Sequence, residues 1–264
     1  MKILVCLKQV PDKDSSFRIR AGGGGVETEN LSFQINDYDR YALEAALRLK
    51  DASAAEVVVL SVGPERVAQA LKTALAMGAD RAIHVNDPAA EGSDALGVAR
   101  LLHAAAAPEE FDLVLAGLQA DDDNLAQVGP MLARLLGFRC ATGVMALSLV
   151  EDGRTARVER ELENNRLQVV DLTLPAVVTV QTGINEPRYA SLKGIMAAKK
   201  KETRILRLAD LGLAAAQVGA AGARARVLEM GPPPRGKGGE ILKGSPDEIA
   251  AELVRRIREK TGVL

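Results

Sequence analysis

Short apolar runs alternate with amphipathic runs through the first half of the chain, and this alternation constrains the fold more than any other feature. The apolar runs have the length and β-branched content of buried strands, and the amphipathic runs carry apolar residues at helical spacing. Strands are predicted at 3–10, 56–62, 81–85 and 113–116, and helices at 41–50, 65–76, 95–106 and 126–136. Such an alternation predicts a doubly wound α/β fold with a mostly parallel sheet. Ligands of this fold bind beyond the carboxyl ends of the strands, at the loops expected after Val10, Val62 and Ala116.

The pattern changes after Ala146, where short segments of alternating polarity replace the strand–helix alternation. Strands are predicted at 146–151, 154–162 and 166–174, with turns at Asp152-Gly153 and Asn164-Asn165. These segments indicate antiparallel additions to the sheet. An apolar run at 176–180 then predicts the last strand of the domain.

The C-terminal part of the chain differs in composition. Residues 208–239 are rich in Ala, Gly and Pro, which is typical of an extended arm, and Ser245-Pro246 begins a last amphipathic helix that ends near Lys260. We therefore divide the chain into an α/β domain at 1–207 and a C-terminal arm with its helix at 208–264.

Charge and aromatic content argue against a nucleic-acid partner. The formal net charge is -1, and the chain has three Tyr, four Phe and no Trp, so neither a basic surface nor a stacking platform is indicated. The apolar run at the N-terminus is shorter than a signal sequence needs, and no stretch reaches the ~20 apolar residues of a membrane span. The sequence therefore predicts a cytoplasmic protein without direct membrane insertion.

Residues 117–130 follow a predicted strand and open a predicted helix, so their backbone amides are expected at the ligand edge of the sheet. A helix N-terminus there favours a phosphate, because its first amides lack partners and the helix dipole is positive at that end. Asp121, Asp122 and Asp123 lie in this loop and would repel a phosphate unless their side chains point away. The alternative interpretation is that these carboxylates only cap the helix.

Other common sites are absent from the sequence. Neither the P-loop pattern nor the glycine fingerprint of dinucleotide-binding folds occurs. The two histidines, His84 and His103, form no Ser-His-Asp or Cys-His arrangement and are expected to be structural. Cys6 and Cys140 lack metal-ligand spacing, and Cys6 is expected to be a buried thiol. We assign no catalytic residue and no metal ligand, and the residues alone predict an α/β nucleotide-binding domain.

Three segments resemble a known family. Residues 185–201 read NEPRYASLKGIMAAKKK, residues 73–81 read TALAMGADR, and residues 174–179 read LPAVVT. These segments are similar to those of the beta subunits of electron-transfer flavoproteins, and the first is the long signature of that family. The resemblance runs from Lys2 to about Gly212 and is weaker in the C-terminal arm.

The resemblance implies a function as well as a fold. It implies an α/β domain of the adenine-nucleotide-binding type, and a partner alpha subunit that holds most of a redox FAD and that the C-terminal arm packs against. Beta subunits bury AMP in most relatives, whereas electron-bifurcating relatives hold a second FAD in the same pocket. The pair is expected to carry electrons from flavin dehydrogenases, such as acyl-CoA dehydrogenases, to a quinone oxidoreductase. The chain is then an electron-carrier subunit rather than a free-standing catalyst.

The resemblance also assigns site residues. Tyr38 falls where relatives bring an aromatic side chain near the shared FAD. The full set of cofactor-binding residues is Cys6, Asn36, Asp37, Tyr38, Asp39, Val62, Gly117, Gln119, Ala120, Asp121, Asp122, Asp123, Asn124, Leu125, Ala126, Gln127 and Val128.

Residues 183–201 correspond to the family's partner-recognition loop. Leu192 is expected to be its exposed apolar anchor. The other docking residues are Tyr189, Ile195, Met196 and Lys200, and Lys199, Lys200 and Lys201 either steer acidic partners or form a solvated face. The alternative for Leu192 is a residue packed on its own subunit.

One departure from the family bears on the cofactor. Bifurcating relatives read Asp-Gly-Asp-Thr-Ala-Gln-Val-Gly-Pro where this chain has DDNLAQVGP at 122–130. Asp123 stands in place of a glycine that lets backbone approach a ligand closely, which favours AMP over a second FAD. Two alternatives stay open: a bifurcating subunit whose second FAD accepts a hydride from NADH, and a stand-alone adenine-nucleotide-binding module, which would be a stable monomer.

Overall fold

The computed structural model describes residues 1–150, 153–234, 236 and 238–262, which fall into two compact units. The first unit comprises Met1–Arg18 and Val26–Leu228, and the second comprises Ile19–Gly25 and Glu229–Leu264. The first unit holds the sheet and the candidate sites.

The strands of the first unit follow one another in chain order. They are β1 (Lys2–Cys6), β2 (Gln9–Pro11), β3 (Phe33–Ile35), β4 (Glu56–Val62), β5 (Arg81–Val85), β6 (Leu113–Gly117), β7 (Arg139–Leu149), β8 (Thr155–Leu162), β9 (Arg166–Thr173), β10 (Ala176–Val180) and β11 (Thr203–Leu206).

The helices of the first unit lie between these strands and after them. They are α1 (Asp37–Ala52), α2 (Val67–Met77), α3 (Ala95–Ala106), α4 (Val128–Leu136), α5 (Leu192–Ala198), α6 (Leu208–Leu211) and α7 (Gly219–Gly222), with short 3₁₀ turns at Pro88–Ala90, Ala107–Glu109 and Ala215–Gln217.

The main sheet has the strand order β11-β5-β4-β1-β6-β10-β7-β8-β9. Every pair from β11 to β7 is parallel, and the pairs β7–β8 and β8–β9 are antiparallel. The strands β2 and β3 form a separate antiparallel pair. The expected α/β fold, with a mostly parallel sheet and antiparallel additions, is therefore confirmed.

The core lies on both faces of the sheet because successive strand residues point to opposite sides. Ile3 and Val5 of β1 pack on the face that α1 and α2 cover, and Leu4 packs on the face that α3 and α4 cover. All three side chains are fully buried. This two-sided burial explains why the parallel strands are continuous apolar runs.

The chain changes direction at the centre of the sheet. From β1 it builds outward through β4 and β5, and it then returns to add β6 on the other side of β1. The carboxyl ends of β1 and β6 therefore flank the switch point, where ligands of open α/β sheets bind.

The strand predicted at 3–10 is two strands. The main-sheet strand β1 ends at Cys6, and the chain then turns away to form β2 beside β3. The strand ends because the amide of Lys8 donates to the side chain of Asp39 instead of a neighbouring strand. The ligand-edge loop thus begins at Leu7, earlier than the expected position after Val10.

The helix predicted at 126–136 begins at Val128. Asn124 and Ala126 adopt left-handed conformations, with φ values of 52° and 53°, so the helix cannot start before them. The helix predicted at 41–50 begins at Asp37, although the side chain of Asn36 accepts no hydrogen bond from it.

Two strands differ from the sequence prediction: β7 begins earlier than expected, and β11 is an additional strand. The strand predicted from 146 begins at Arg139, because its first half is parallel to β10 and only its second half pairs with β8. The edge strand β11 was not predicted. Glu151 and Asp152, at the predicted strand end and turn, lie outside the described residues.

The C-terminal region is divided differently from the expected boundary at residue 207. The first unit continues to Leu228, and Leu208 and Val218 are buried in it. In the second unit, α8 (Pro246–Thr261) is preceded by the N-cap residue Ser245, whose side chain forms a capping box with Glu248. Packing of the arm against an alpha subunit stays a prediction.

Among the described helices, none has the length and apolar character that crossing a membrane requires.

Truncation of a core leucine tests the placement of the central strands. Leu115→Ala in β6 removes a fully buried side chain, so we expect the free energy of unfolding in urea to fall by about 2–5 kcal/mol. The control is Leu167→Ala in β9, where the side chain is 63% exposed and the change should stay within about 0.5 kcal/mol. Equal losses in the two variants would contradict the sheet order.

Candidate functional site

A cavity of about 270 Å³ lies at the switch point of the sheet, between the loops that follow β1 and β6. The predicted residues that line it are Cys6, Asn36, Asp39, Val62, Gly117, Gln119, Ala120, Asp123, Leu125, Ala126, Gln127 and Val128. The predicted residues Asp37, Tyr38, Asp121, Asp122 and Asn124 lie beside the cavity and not in its wall. Leu118 and Gly129, which lie in the loop expected at the ligand edge, also line the cavity. The sequence analysis missed the lining residues Leu7, Lys8, Ser93, Asp94, Ala95, Val98, Leu102 and Ala116.

The buried carboxylate of Asp39 joins the two loops of the cavity. Its Oδ2 accepts the amide hydrogen of Lys8 at 2.6 Å, and its Oδ1 accepts that of Gly117 at 2.9 Å. Burial raises the pKa of Asp39 to about 7, although these amide hydrogen bonds act in the opposite direction. One side chain of α1 therefore fixes the ends of both central strands.

Asn36, immediately before α1, holds the far part of the loop after β6. Its Nδ2 donates to the carbonyl of Gln119 at 2.8 Å, and its Oδ1 accepts the amide of Asp121 at 3.0 Å. The carboxylate of Asp121 in turn accepts the amide of Asp37 in the first turn of α1. Asp121 is therefore not part of the cavity wall, because its carboxylate caps α1.

Lys8 pairs with the other two carboxylates of the loop. Its Nζ donates to Asp122 Oδ1 at 2.6 Å and to Asp123 Oδ2 at 2.9 Å. Burial lowers the pKa of Lys8, but the hydrogen bonds and charges of Asp122 and Asp123 outweigh it and raise the pKa above its ordinary value. The lysine charge therefore offsets part of the negative charge of Asp122 and Asp123, and the carboxylate of Asp121 is engaged by the first turn of α1.

Two glycines allow the close packing around the cavity. A Cβ on Gly117 would lie 2.4 Å from Asp39 Oδ1, and a Cβ on Gly129 would lie 2.3 Å from Thr179 Cγ2. Both distances are too short for real contacts. The loop after β6 and the start of α4 can therefore approach their neighbours only because these positions lack side chains.

Four backbone donors in the residues that line the cavity have no protein acceptor. Within the described residues, the amides of Ala126, Gln127, Val128 and Gly129 donate to no protein acceptor. They belong to the start of α4, where the helix dipole adds positive charge. The donor set therefore fits an anionic group such as a phosphate.

Tyr38 lies at the rim of the cavity and is half-buried. Its hydroxyl accepts from Gln119 Nε2 at 3.2 Å, and the same amide group donates to Asn124 Oδ1 at 3.0 Å. The ring is thus held beside the loop without entering the cavity.

The second group of predicted residues lies on residues 183–201, which we call the docking segment. Its helix α5 packs against α2 and buries none of its own residues. Leu192 and Tyr189 are 83% and 87% exposed, and Ile195, Met196 and Lys200 are also exposed. Leu192 is therefore not packed in the core of its own subunit.

Lys201 differs from its two neighbours in the lysine run. Its Nζ donates to the carbonyls of Leu75 and Ala79 at the end of α2, and burial, followed by the charge of Lys50, lowers its pKa. Lys199 and Lys200 are exposed. The expectation of one solvated face across all three lysines is wrong for Lys201, which holds the docking segment on α2.

Cys6 and His84 are both buried. Burial and, secondarily, the charge of Asp39 raise the pKa of the Cys6 thiol, so this residue is an inert part of the cavity wall. His84 is buried, with its Nε2 2.9 Å from the carbonyl of Gly63.

Comparison with known proteins gives one consistent family. The model of the electron transfer flavoprotein domain matches residues 24–211. The chain is 42% identical to the electron transfer flavoprotein subunit beta of Methylophilus methylotrophus, over 99% of this chain and 100% of that protein. It is 36% identical to the protein of the same name from Bacillus subtilis, over the whole of both chains. The human protein of that name is 37% identical, over 95% of this chain and 96% of its own length.

Substitution of Gly117 tests the close packing around Asp39. Gly117→Ala places a methyl group on the Asp39 carboxylate, so we expect a loss of about 1–3 kcal/mol in the free energy of unfolding in urea. Gly24→Ala is the control, because a Cβ there meets open space and the change should stay within about 0.5 kcal/mol. An unchanged Gly117→Ala protein would show that Asp39 lies elsewhere.

Proposed function

We propose that this chain pairs with an alpha subunit to form a soluble electron carrier, because it belongs to the family of electron transfer flavoprotein beta subunits. The pair takes electrons from flavin dehydrogenases, in particular acyl-CoA dehydrogenases, and delivers them to a quinone oxidoreductase in a cytoplasmic setting. The chain acts as a carrier subunit and not as a free-standing catalyst.

The observation that carries the nucleotide assignment is the pairing of Lys8 with Asp122 and Asp123. With Lys8 offsetting one of these two negative charges, the amides of Ala126 to Gly129 that lack a protein acceptor can receive a phosphate. The cavity volume lies just below the usual range for small-molecule sites, which suits a mononucleotide better than a dinucleotide. We therefore propose AMP as the ligand of this cavity.

The shared FAD supplies the redox chemistry when it is bound to the pair. Electron transfer between flavins needs no general acid or base from this chain, so the role of its residues is to bind, orient and exclude water. Tyr38 is the residue that we place nearest to that FAD, at the rim held by Gln119.

Asp123 weighs against a second FAD in the cavity. Its Oδ1 accepts the amide of Leu125, and its Oδ2 accepts from Lys8, so its side chain closes the loop on itself. A glycine at this position would make neither contact. A bifurcating role with hydride transfer from NADH remains the competing hypothesis for the extraction experiment.

Cofactor extraction tests these assignments. We expect the chain, co-expressed with its alpha subunit, to elute as a heterodimer in size-exclusion chromatography and to yield about one FAD and about one AMP. The control is the same chain expressed alone, which should yield no FAD. Two FAD per heterodimer would establish the bifurcating alternative, and a stable monomer with no affinity for the alpha subunit would establish the stand-alone module.

Truncation of Leu192 tests the docking role. Leu192→Ala should weaken association with an acyl-CoA dehydrogenase by about 2 kcal/mol, roughly 30-fold, with flavin content and thermal midpoint unchanged. Leu167→Ala on the distant strand β9 is the matched control for loss of an exposed leucine. A lower thermal midpoint with unimpaired flavin reduction would instead assign Leu192 to the core.

A further inference from the structure

The docking segment exposes apolar side chains but has little buried surface of its own. Tyr189 and Leu192 are almost fully exposed, and α5 buries no residue. Ile184, Ala190 and Ala198 of the segment pack half-buried against the core, and polar contacts hold the segment in addition.

The strongest of these contacts joins Arg188 to α1. Arg188 Nε donates to Glu44 Oε2 at 2.8 Å, its Nη2 donates to Glu44 Oε1 at 3.2 Å, and its backbone amide also donates to Oε2 at 3.1 Å. The same Nη2 donates to Asp51 Oδ2 at 2.7 Å. Among the ion pairs of the described residues, only those of Arg188 reach the docking segment.

Glu44 is unusual because it is a buried carboxylate on a helix. Its side chain is 4% exposed and also accepts from Arg48 Nε at 3.0 Å. Burial acts to raise the pKa of Glu44, but the hydrogen bonds from Arg188 and Arg48 lower it below its ordinary value. A bidentate arginine–carboxylate pair with this burial fixes geometry as well as charge.

Other contacts act with this pair at the ends of the segment, in addition to the hydrogen bonds of Lys201. On the N-terminal side, Asn185 Nδ2 donates to the carbonyl of Tyr41 at 3.0 Å. On the C-terminal side, a Cβ on Gly194 would lie 2.2 Å from the carbonyl of Ala76, so α5 contacts the end of α2 backbone to backbone. Tyr189 and Leu192 stand between these attachments.

We infer that Glu44 and Arg188 are positioning residues that hold Tyr189 and Leu192 in their docking geometry before a partner arrives. The inference rests on the proposed docking function of this segment. A partner that meets an ordered segment does not have to immobilise it, and this ordering is otherwise a cost of association. Neither Glu44 nor Arg188 needs to touch the partner for this effect.

Two variants test the inference in the intact heterodimer. Glu44→Gln keeps the shape of the side chain and removes its charge, and Arg188→Lys keeps the charge and loses the bidentate geometry. The donor is an acyl-CoA dehydrogenase reduced with octanoyl-CoA, and the readouts are the KM for that dehydrogenase, kcat, and amide hydrogen exchange of residues 186–198.

We expect both variants to raise KM, Glu44→Gln by roughly tenfold, with kcat unchanged at saturating dehydrogenase. Amide exchange in residues 186–198 should accelerate, whereas exchange in the central strands stays the same. Arg157→Gln is the matched control, because it breaks a bidentate pair with Asp171 between β8 and β9 and leaves the docking segment untouched.

Faster exchange in the segment with an unchanged KM would overturn the inference, because the ion pair would then be structural only. Leu192→Ala measured beside these variants separates the two hypotheses. If Leu192→Ala leaves KM unchanged, the docking function itself is wrong. If Leu192→Ala raises KM and Glu44→Gln does not, only the positioning role is wrong.

Discussion

The buried carboxylate of Asp39 is the constraint on which the ligand edge of the sheet depends. It accepts amide hydrogens from Lys8 after β1 and from Gly117 at the end of β6, and these are the two strands that flank the switch point. The same contact ends β1, requires a glycine at 117, and brings Lys8 to the place where its side chain meets two aspartates. A carboxylate without these donors would be costly to bury, so the site and the strand ends form together.

The parallel core could be predicted from the sequence because its signal is local. Strands such as β5 and β10 are apolar runs flanked by turn residues, and the sequence places both at the bounds seen in the structure. Features that depend on distant partners could not be predicted in this way. Lys8 lies within an apolar run that looks like one continuous strand, and only the contact with Asp39 shows that the strand stops before it.

The site residues show the same division. The resemblance pointed to the loop after β6 and to residues 36–39 at the start of α1, but it did not indicate which aspartates line the cavity. Asp121 caps α1, Asp122 and Asp123 pair with Lys8, and these roles depend on residues more than eighty positions away along the chain. Ser93 and Asp94 were missed because nothing in their local sequence distinguishes an ordinary helix start from a cavity wall.

Helix α1 connects the two candidate sites physically. Its first turn holds the cavity loops through Asp39, and its second turn holds the docking segment through Glu44. Both contacts use buried carboxylates on a single rigid helix. The spacing between the cavity and the exposed apolar side chains is therefore set by the backbone of one helix and not by a flexible loop.

The amides at the start of α4 have a consequence for how phosphate binding would respond to ionic strength. These donors are uncharged, so their attraction for a phosphate would come from oriented dipoles at short range. Mobile salt ions screen interactions between separated exposed charges, with a Debye length of about 8 Å at physiological ionic strength, and have little effect on a hydrogen bond of about 3 Å. Hydrogen bonds from these amides to a phosphate would therefore be weakened less by salt than contacts to a cluster of surface lysines.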